Sequence, residues 1–454
     1  MVASHLRNFR DEIGQALYAT DAKTPDVTVS NGPSLQAWFD VSGLAAASIG
    51  SAAAELAAIT GSFEPVTINQ ACANAWFDFT IKPQGWELPP AWDPIAGLYE
   101  TQTGLIRLHT NALAHRDAAL RVLQTDATRD AVEIAIRKMD AQTLETAIID
   151  EGGCAARLQS FDEWKKHSQG KAVCWEPLIA WQDRQQGKAI RTFGNKSAPL
   201  TGLRVLDCTR VLAGPVCTRF LAGFGADVLR IDPPGWNEGI VVPEVTLGKR
   251  CATLDLHTEA GRARFRSLYR SADIFVHGLR PGALERLGLG EAERLQINPD
   301  TIDVTLNAYG WSGPWARRRG YDSLVQMSAG VAEAGMRASG ATNPTPLPVQ
   351  ALDHATGYLM AASALRAIRV RKEMGTVLSA KLSLARTAYL LSQSFSRQRF
   401  GDNDTATSEM VAADIEHTDW GPAQRITWPI IAGLPHPHWR YPAGNFHTAQ
   451  PEWL

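Results

Sequence analysis

The stretch LTGLRVLDCTRVLAGPVCTRFLAGFGADVLRIDPP, residues 200–234, decides the fold. Within it, Arg204–Cys208 and Asp227–Asp232 are short apolar runs that predict two buried strands. Gly214-Pro215 opens a helix between them, because proline suits the first helical turn. A strand, a helix and a second strand this close together form a βαβ unit of a parallel sheet. A ligand is expected beyond the carboxyl ends of these strands, at Thr209–Pro215.

The turn after the first strand is not that of a dinucleotide site. It contains Gly214 but no G-x-G-x-x-G, the spacing that lets a backbone approach a pyrophosphate. Further strands and helices alternate up to Thr301–Leu306 and predict a Rossmann-like, doubly wound parallel α/β sheet. The ligand of that sheet must be identified from other residues, because the fold alone does not fix it.

Length, charge and cysteine usage limit the class of protein. The 454 residues exceed one core, so two or three domains are expected. A net charge of -2 gives no general attraction to nucleic acid or a membrane surface. The six cysteines lack a C-x-x-C pair and a zinc spacing, which favours reduced thiols, no metal site and a cytoplasmic protein. No signal peptide is evident, and Glu55 inside Val41–Gly61 favours a soluble helix over a membrane span.

Three regions are predicted along the chain. Residues 1–90 form a helical segment that packs on the large domain, residues 91–195 a smaller α/β domain, and residues 196–454 the large domain with a wrapping C-terminal tail. The pattern around Asp40 recurs around Asp353: an acidic residue, a helix of small residues, a glycine turn, a strand and a helix. We interpret the recurrence as a degenerate internal duplication, with chance similarity as the alternative.

Five blocks between residues 200 and 391 resemble the class III CoA-transferase (CaiB/BaiF) family and occur in its order. They are the stretch quoted above, GKRCATLDL, ADIFVHGLRPGALERLGLG, NAYGWSGPWARRRGYDSLVQMSAG and LDHATGYLMAASALRAI. The resemblance implies a Rossmann-like large domain, a small domain inserted between its halves, and a homodimer. Here residues 91–195, which resemble the small domain, precede the large one, so the order is permuted.

The resemblance implies CoA transfer between carboxylic acids, with an acyl-CoA and a small carboxylic acid as substrates and no tightly bound cofactor. The family's catalytic aspartate falls on Asp353, which would form a mixed anhydride and then an aspartyl-CoA thioester. From the residues alone, Asp353 precedes an amphipathic helix and is expected to act as its N-cap. The helix N-terminus would then keep its carboxylate ionised. Asp40 is interpreted as a cap only.

Tyr321 and Gln326, in GYDSLVQ, complete the predicted catalytic set. Racemases of the same family have a histidine where Tyr321 stands, and tyrosine is a poor base at neutral pH, which favours transfer. Tyr321 is expected to hydrogen-bond the thioester or to pack in the core, and Gln326 to orient a carbonyl or to satisfy buried backbone. An acyl-CoA racemase or epimerase and a CoA-binding pseudoenzyme are the alternative functions.

Two loops are expected to bind CoA because they match the family's CoA-binding loops, the second with arginines that suit phosphates. Their residues are Arg210, Val211, Leu212 and Ala213 in the first loop and Arg280, Pro281, Ala283 and Arg286 in the second. Lys249 and Arg250, or Arg317–Arg319, are candidates for further phosphate contacts, although a solvated charged loop is favoured for the latter run. His109, His115 and Arg116 are interpreted as packing within the small domain.

Overall fold

The computed structural model describes residues 2–18, 24–30, 32–401 and 410–454. Up to residue 90 the elements are α1 (Val2–Leu17), β1 (Val27–Val29), α2 (Val41–Thr60), β2 (Val66–Ile68), α3 (Gln70–Ala75) and β3 (Ile81–Pro83). From residue 91 to 195 they are β4 (Gly97–Thr101), β5 (Gly104–Leu108), α4 (Leu113–Leu123), α5 (Arg129–Ile136), α6 (Ala141–Asp150), β6 (Ala155–Arg157), α7 (Phe161–Lys166), α8 (Ser168–Trp175) and β7 (Ala180–Gln186).

The elements after residue 195 belong to the large domain and its C-terminal tail. They are β8 (Arg204–Cys208), α9 (Ala213–Gly223), β9 (Asp227–Asp232), a 3₁₀ turn (Gly239–Val241), α10 (Val242–Val245), β10 (Arg250–Thr253), α11 (Glu259–Tyr269), β11 (Ile274–His277), α12 (Ala283–Arg286), α13 (Glu291–Ile297), β12 (Ile302–Asn307), α14 (Asp322–Ser328), α15 (Val331–Ser339), α16 (Ala351–Met374), β13 (Thr376–Ser383), α17 (Leu384–Ser392), β14 (Glu416–Thr418), β15 (Gly421–Arg425) and β16 (Ile430–Ala432).

A seven-stranded sheet with the order β10-β9-β8-β11-β12-β13-β7 forms the centre of the molecule. Its first six strands run parallel, and β7 pairs antiparallel with β13. The strand order reverses at β8, which has β9 on one side and β11 on the other. A crevice opens beyond the carboxyl ends of the strands at such a point. The predicted Rossmann-like α/β sheet is confirmed, and the turns after β8 and β11 flank its crevice.

The small domain is an antiparallel sheet of β4, β5 and β6 covered by α4, α5 and α6, with a core of its own. Residues Arg129–Asp150 form two helices, because the Asp140 side chain accepts a hydrogen bond from the Thr143 N–H and caps the second one. Strand β7 precedes residue 195 but lies in the main sheet, beside β13.

The N-terminal region packs on the large domain through α2, which lies against α16. Both helices end at a left-handed glycine, Gly61 and Gly375, and each is followed by a strand and a helix, as the predicted duplication requires. Glu55 of α2 pairs with Arg369 of α16 at 3.2 Å. By length and composition α2 is apolar enough to span a membrane, but 83% of its most apolar window is buried inside the protein. Such burial accounts for its composition as that of a core helix.

The C-terminal tail lies over the N-terminal region through short strands that its sequence does not reveal. β15 pairs with β3 and β16 pairs with β2. Glu244 of α10 ties these parts together, because its carboxylate accepts hydrogen bonds from the backbone N–H groups of Thr80 (2.7 Å) and Ile81 (2.8 Å). The same carboxylate pairs with Arg219 of α9 at 2.5 Å and with Arg425 of β15 at 3.5 Å.

Replacing Glu244 by alanine is expected to lower the free energy of unfolding by about 3–5 kcal/mol, because the buried guanidinium of Arg219 loses its partner. Urea denaturation measures the loss. The matched control is Glu259→Ala, whose carboxylate pairs with Arg262 and Arg266 on the surface of α11 and should matter far less. Equal losses in the two variants would show that Glu244 does not hold the regions together.

Candidate active site

Asp353 lies in the first turn of α16, with 8% of its surface exposed. The helix begins at Ala351 and is buried on nearly every side, so the predicted amphipathic helix and the N-cap role of Asp353 are wrong. Gly357 follows one turn later on the same face, and a Cβ there would lie 2.3 Å from the carbonyl oxygen of Ala213. This face of α16 therefore meets the start of α9, which brings Asp353 to the turn after β8.

Asp322 takes the capping role that was expected of Asp353. Its Oδ2 accepts hydrogen bonds from the backbone N–H groups of Leu352 (2.8 Å) and Asp353 (3.0 Å). Its Oδ1 accepts a hydrogen bond from Nε2 of Gln326. The cap spans thirty residues of sequence, so no local pattern could reveal it. The only sequence feature that could have indicated this cap was an acidic residue directly after Tyr321.

Gln326 acts on Asp322 and on the backbone. Its Nε2 donates to Asp322, and its Oε1 accepts a hydrogen bond from the Leu347 N–H at 2.8 Å. Both ends of the amide are engaged and the residue is buried. Of the two roles considered for Gln326, satisfying buried backbone is the one observed, and its contact with Asp322 makes it a positioning residue.

Asp322 and Asp353 form a pair of buried carboxyl groups. Burial raises the pKa of Asp353 well above its usual value, and the charge of Asp322 raises it further. Burial also raises the pKa of Asp322 to about 6, against the opposing effect of its hydrogen bonds with Gln326 and the backbone. Burial and the like charge of Asp322 therefore oppose the expected ionisation of Asp353 by the helix N-terminus.

Tyr321 connects this pair to the small domain. Its ring stacks on His109, with centroids 3.7 Å apart, and its hydroxyl lies 3.4 Å from Nδ1 of His115. Burial lowers the pKa of His109 to about 3 and that of His115 to about 4, so both rings are neutral at physiological pH. The interpretation of these histidines as packing within the small domain is wrong, because they contact the large domain. Arg116 does stay within the small domain, where it pairs with Asp93 at 3.3 Å.

The first predicted CoA loop is strained and closely held. Val211 has a φ of 62°, which is unfavourable for a β-branched residue, and its N–H donates to Oε1 of Glu238 at 2.8 Å. Arg210 pairs with Asp232 at 3.2 Å and lies over the ring of Trp236. Leu212 and Ala213 are buried at the start of α9. The loop thus lies at the switch point with its backbone shape fixed.

The second predicted CoA loop carries free positive charge beside the first. Arg280 and Arg286 are exposed, and neither forms an ion pair with any carboxylate in the part of the chain that the structure describes. Burial lowers the pKa of Arg280, and the nearby guanidinium groups of Arg319 and Arg286 lower it further. Pro281 and Ala283 are half-buried parts of the same loop. Unpaired arginines that repel one another are suited to binding an anion such as phosphate.

Lys249 and Arg250 do not extend this anion site. Arg250 begins β10 and pairs with Asp227 at the start of β9, so it lies at the opposite edge of the sheet from the crevice. This position opposes the predicted contact of Arg250 with a CoA phosphate. The ammonium of Lys249 is buried, 3.2 Å from Asp207, and donates to the Pro215 carbonyl oxygen. Burial and this ion pair oppose a contact between Lys249 and CoA.

The run Arg317–Arg319 is not a solvated loop, although that interpretation was favoured. Arg318 pairs with Glu145 of the small domain at 2.8 Å, and its guanidinium lies over the ring of Trp315. Arg319 donates to the Gly152 carbonyl oxygen. These two arginines therefore dock the small domain against the large one, close to Tyr321.

Similarity to known proteins is confined to part of the chain. The model of CoA-transferase family III matches residues 200–428. A probable fatty acyl-CoA transferase of Mycobacterium tuberculosis is 33% identical over 195 residues, which cover 40% of this chain and 49% of the relative. An acetyl-coenzyme A transferase of Hypoxylon pulicicidum is 28% identical over 310 residues, covering 62% of this chain and 51% of the relative. The chain spans about half the length of the curated relatives that it matches.

Two solved structures show the same partial coverage. The crystal structure of the Mycobacterium tuberculosis protein overlays with a TM-score of 0.39 at 33% identity, over 44% of this chain and 57% of that one. A CaiB/BaiF family protein from Brucella suis overlays with a TM-score of 0.40 at 24% identity, over 50% of this chain and 65% of that one.

The carboxyl pair makes stability depend on pH in a predictable direction. The folded pair holds protons that the unfolded chain releases near pH 4, so its contribution to the free energy of unfolding should fall as the pH rises through about 6. Asp353→Asn removes one of the two groups with a raised pKa, so this decline should be smaller in the variant than in the wild type. Urea denaturation between pH 4.5 and 7.5 (roughly the window set by these pKa values) measures both slopes.

The control for this experiment is Asp150→Asn, at the exposed end of α6, which should keep the wild-type slope. Parallel slopes for the wild type and Asp353→Asn would contradict the raised pKa of Asp353.

Proposed function

The chain belongs to the class III CoA-transferase family, and on that premise we propose that it moves CoA from an acyl-CoA to a carboxylic acid through Asp353. One observation carries the proposal: a buried, activated carboxyl group lies where the start of α16 meets the turn after β8. The unpaired arginines of the second loop lie at the same crevice and suit the phosphates of CoA.

The reaction that we propose conserves every atom without a cofactor. An oxygen of ionised Asp353 attacks the thioester carbonyl, the carbon–sulfur bond breaks, and CoA leaves as a thiolate. The thiolate then attacks the Asp353 carbonyl of the mixed anhydride, which releases the donor acid as a carboxylate and leaves an aspartyl-CoA thioester. An acceptor carboxylate repeats these two steps in reverse and leaves as the new acyl-CoA, with Asp353 regenerated.

The neighbours of Asp353 favour this chemistry. A carboxylate with a raised pKa is a stronger nucleophile when ionised, and Asp322 contributes to that raised pKa. Asp322 also holds the first turn of α16 by its backbone N–H groups, so the attacking oxygen has a fixed position.

The chemistry of Tyr321 fits transfer of CoA better than removal of an α-proton from an acyl-CoA. Burial raises the pKa of Tyr321, and the nearby charges of Cys154, Glu238 and Asp353 raise it further. The phenol therefore stays protonated at neutral pH and is a poor general base, which opposes the racemase alternative. A protonated phenol remains able to donate a hydrogen bond to a thioester oxygen.

The covalent intermediate provides a direct test. Incubation of the protein with a panel of acyl-CoAs, followed by hydroxylamine, should convert Asp353 to a hydroxamate that mass spectrometry locates in its peptide. Asp353→Asn should lose this label and all transfer, because the amide is not a nucleophile of comparable strength. Asp40→Asn is the matched control, because Asp40 caps α2 at the corresponding place of the other copy and should keep the label. A label elsewhere, or transfer by Asp353→Asn, would refute the proposal.

The proposed phosphate contacts have a separate test. The double variant Arg280→Gln/Arg286→Gln should bind CoA at least about tenfold more weakly, as expected when charge-assisted contacts to phosphate are lost. Isothermal titration with CoA measures the affinity, and the loss should shrink as salt is added because exposed charges are screened. Arg270→Gln, an exposed arginine after α11, serves as the control and should leave the affinity unchanged. An unaltered affinity in the double variant would contradict the assignment of this loop.

A further inference from the structure

The proposed transfer poses an electrostatic problem at Asp353. The acceptor acid arrives as a carboxylate when Asp353 is an uncharged CoA thioester, but the carboxyl group of Asp322 stays buried at the same helix end. A second negative charge enters a site beside Asp322 only with a cation close by. The following inference rests on the proposed function and concerns that cation.

The outer face of β5 points from the small domain toward the large one. Ile106 and Leu108 are fully buried in the small-domain core, so Arg107 and His109 lie on the opposite face of the strand. His109 stacks on Tyr321 from this face. Arg107 is two residues before His109 on the same face, and Tyr321 directly precedes Asp322. Burial lowers the pKa of Arg107, and the charge of Asp322 opposes that shift. Arg107 therefore lies on the face of the small domain that meets the segment of Tyr321 and Asp322.

Arg107 differs from every other arginine of the small domain in having no acceptor. The others pair with carboxylates or donate to backbone carbonyl groups: Arg116 with Asp93, Arg121 with Glu151, Arg137 with Glu133, Arg157 with Glu163, and Arg129 with the carbonyl oxygens of Ala96 and Leu98. The Nε of Arg107 is buried without a hydrogen-bond partner, and no carboxylate of the described residues lies within ion-pair distance of it. A half-buried, unpartnered guanidinium is costly unless a ligand completes it.

Trp92 fixes the orientation of this guanidinium. The Arg107 Cζ lies 4.9 Å from the centre of the Trp92 ring, and Trp92 in turn contacts His109 edge to face. Trp92 is 42% exposed, so the pair lies at the surface of the protein and not in the core. A guanidinium held against an aromatic ring presents its N–H groups in a fixed fork, which matches the two oxygens of a carboxylate.

We propose that Arg107, held by Trp92, binds the carboxylate of the acceptor acid and guides it to the carbonyl of the aspartyl-CoA thioester. Arg107 thus acts on the second half of the transfer, after the CoA adduct has formed. The acyl-CoA itself is bound by the two loops of the large domain, so loss of Arg107 leaves the first half intact.

The kinetic test compares Arg107→Gln, Arg107→Lys and Arg121→Gln, using the acceptor acid that the wild type accepts. Arg107→Gln should raise the KM for the acceptor at least about tenfold, as expected when a charge-assisted, bidentate contact is lost. The KM for acyl-CoA and the amount of labelled Asp353 should stay at the wild-type level. Arg107→Lys should recover part of the loss, because it keeps the charge but not the fork. The control Arg121→Gln, on the exposed face of α4, should match the wild type.

A purely structural role for Arg107 would raise both KM values together or reduce the label at Asp353, and either outcome overturns the proposal. An unchanged acceptor KM in Arg107→Gln overturns it as well.

A second measurement on the wild-type protein separates this proposal from the proposed function. Phenylglyoxal modifies accessible arginines, and mass spectrometry follows each peptide. Butyrate should slow the modification of Arg107 more than chloride at equal ionic strength, and should not affect Arg121. This result would support a carboxylate site at Arg107 even if no acyl-CoA labelled Asp353. Equal modification in butyrate and chloride would overturn the site even if transfer were established.

Discussion

The carboxylate of Asp322 at the N-terminus of α16 is the interaction on which the site depends. It occupies two backbone N–H groups of the first helical turn, one of them that of Asp353. Because Asp322 accepts hydrogen bonds from these N–H groups, the side chain of Asp353 is not stabilised by them. Asp353 is thereby buried, fixed and next to a like charge, which is a reactive state for a carboxyl group. The cap and the proposed nucleophile are thus two parts of one arrangement.

Close helix packing puts this arrangement at the crevice. Gly357 lets α16 approach the Ala213 carbonyl oxygen, and any larger side chain would separate α16 from α9. On its other side, α16 is held by α2 and by the buried pair of Glu55 and Arg369. The N-terminal region is therefore a structural support for the helix that carries the site. The small domain closes the site from the opposite side through His109 and His115, and its Glu145 pairs with Arg318 of the large domain.

Local sequence patterns predicted those secondary-structure elements that depend on a short stretch of the chain. The apolar runs at Arg204–Cys208 and Asp227–Asp232 are strands with the expected bounds, because their burial forces a short, continuous apolar sequence. The capping box of Ser160 and Glu163 is local in the same sense, since both partners fall within one helical turn.

Contacts between distant residues could not be predicted in this way. The cap of α16 by Asp322 and the stacking of His109 on Tyr321 join segments separated by 30 to 212 residues, and each residue alone has an ordinary sequence context. The position of Arg250 depends on strand register. The pairing of β10 with β9 shows that Arg250 lies at the edge of the sheet opposite the crevice. The sequence AWQDRQQ does not indicate strand β7, because an antiparallel edge strand tolerates polar residues.

A crystal structure of the Asp353→Asn variant with bound acyl-CoA tests the central claim most directly. The account predicts that the thioester carbon lies about 3–3.5 Å from the side chain at position 353, the distance of a near-attack geometry. It also predicts that the CoA phosphates lie against Arg280 and Arg286. A thioester bound away from this side chain, with the phosphates at another edge of the sheet, would contradict it.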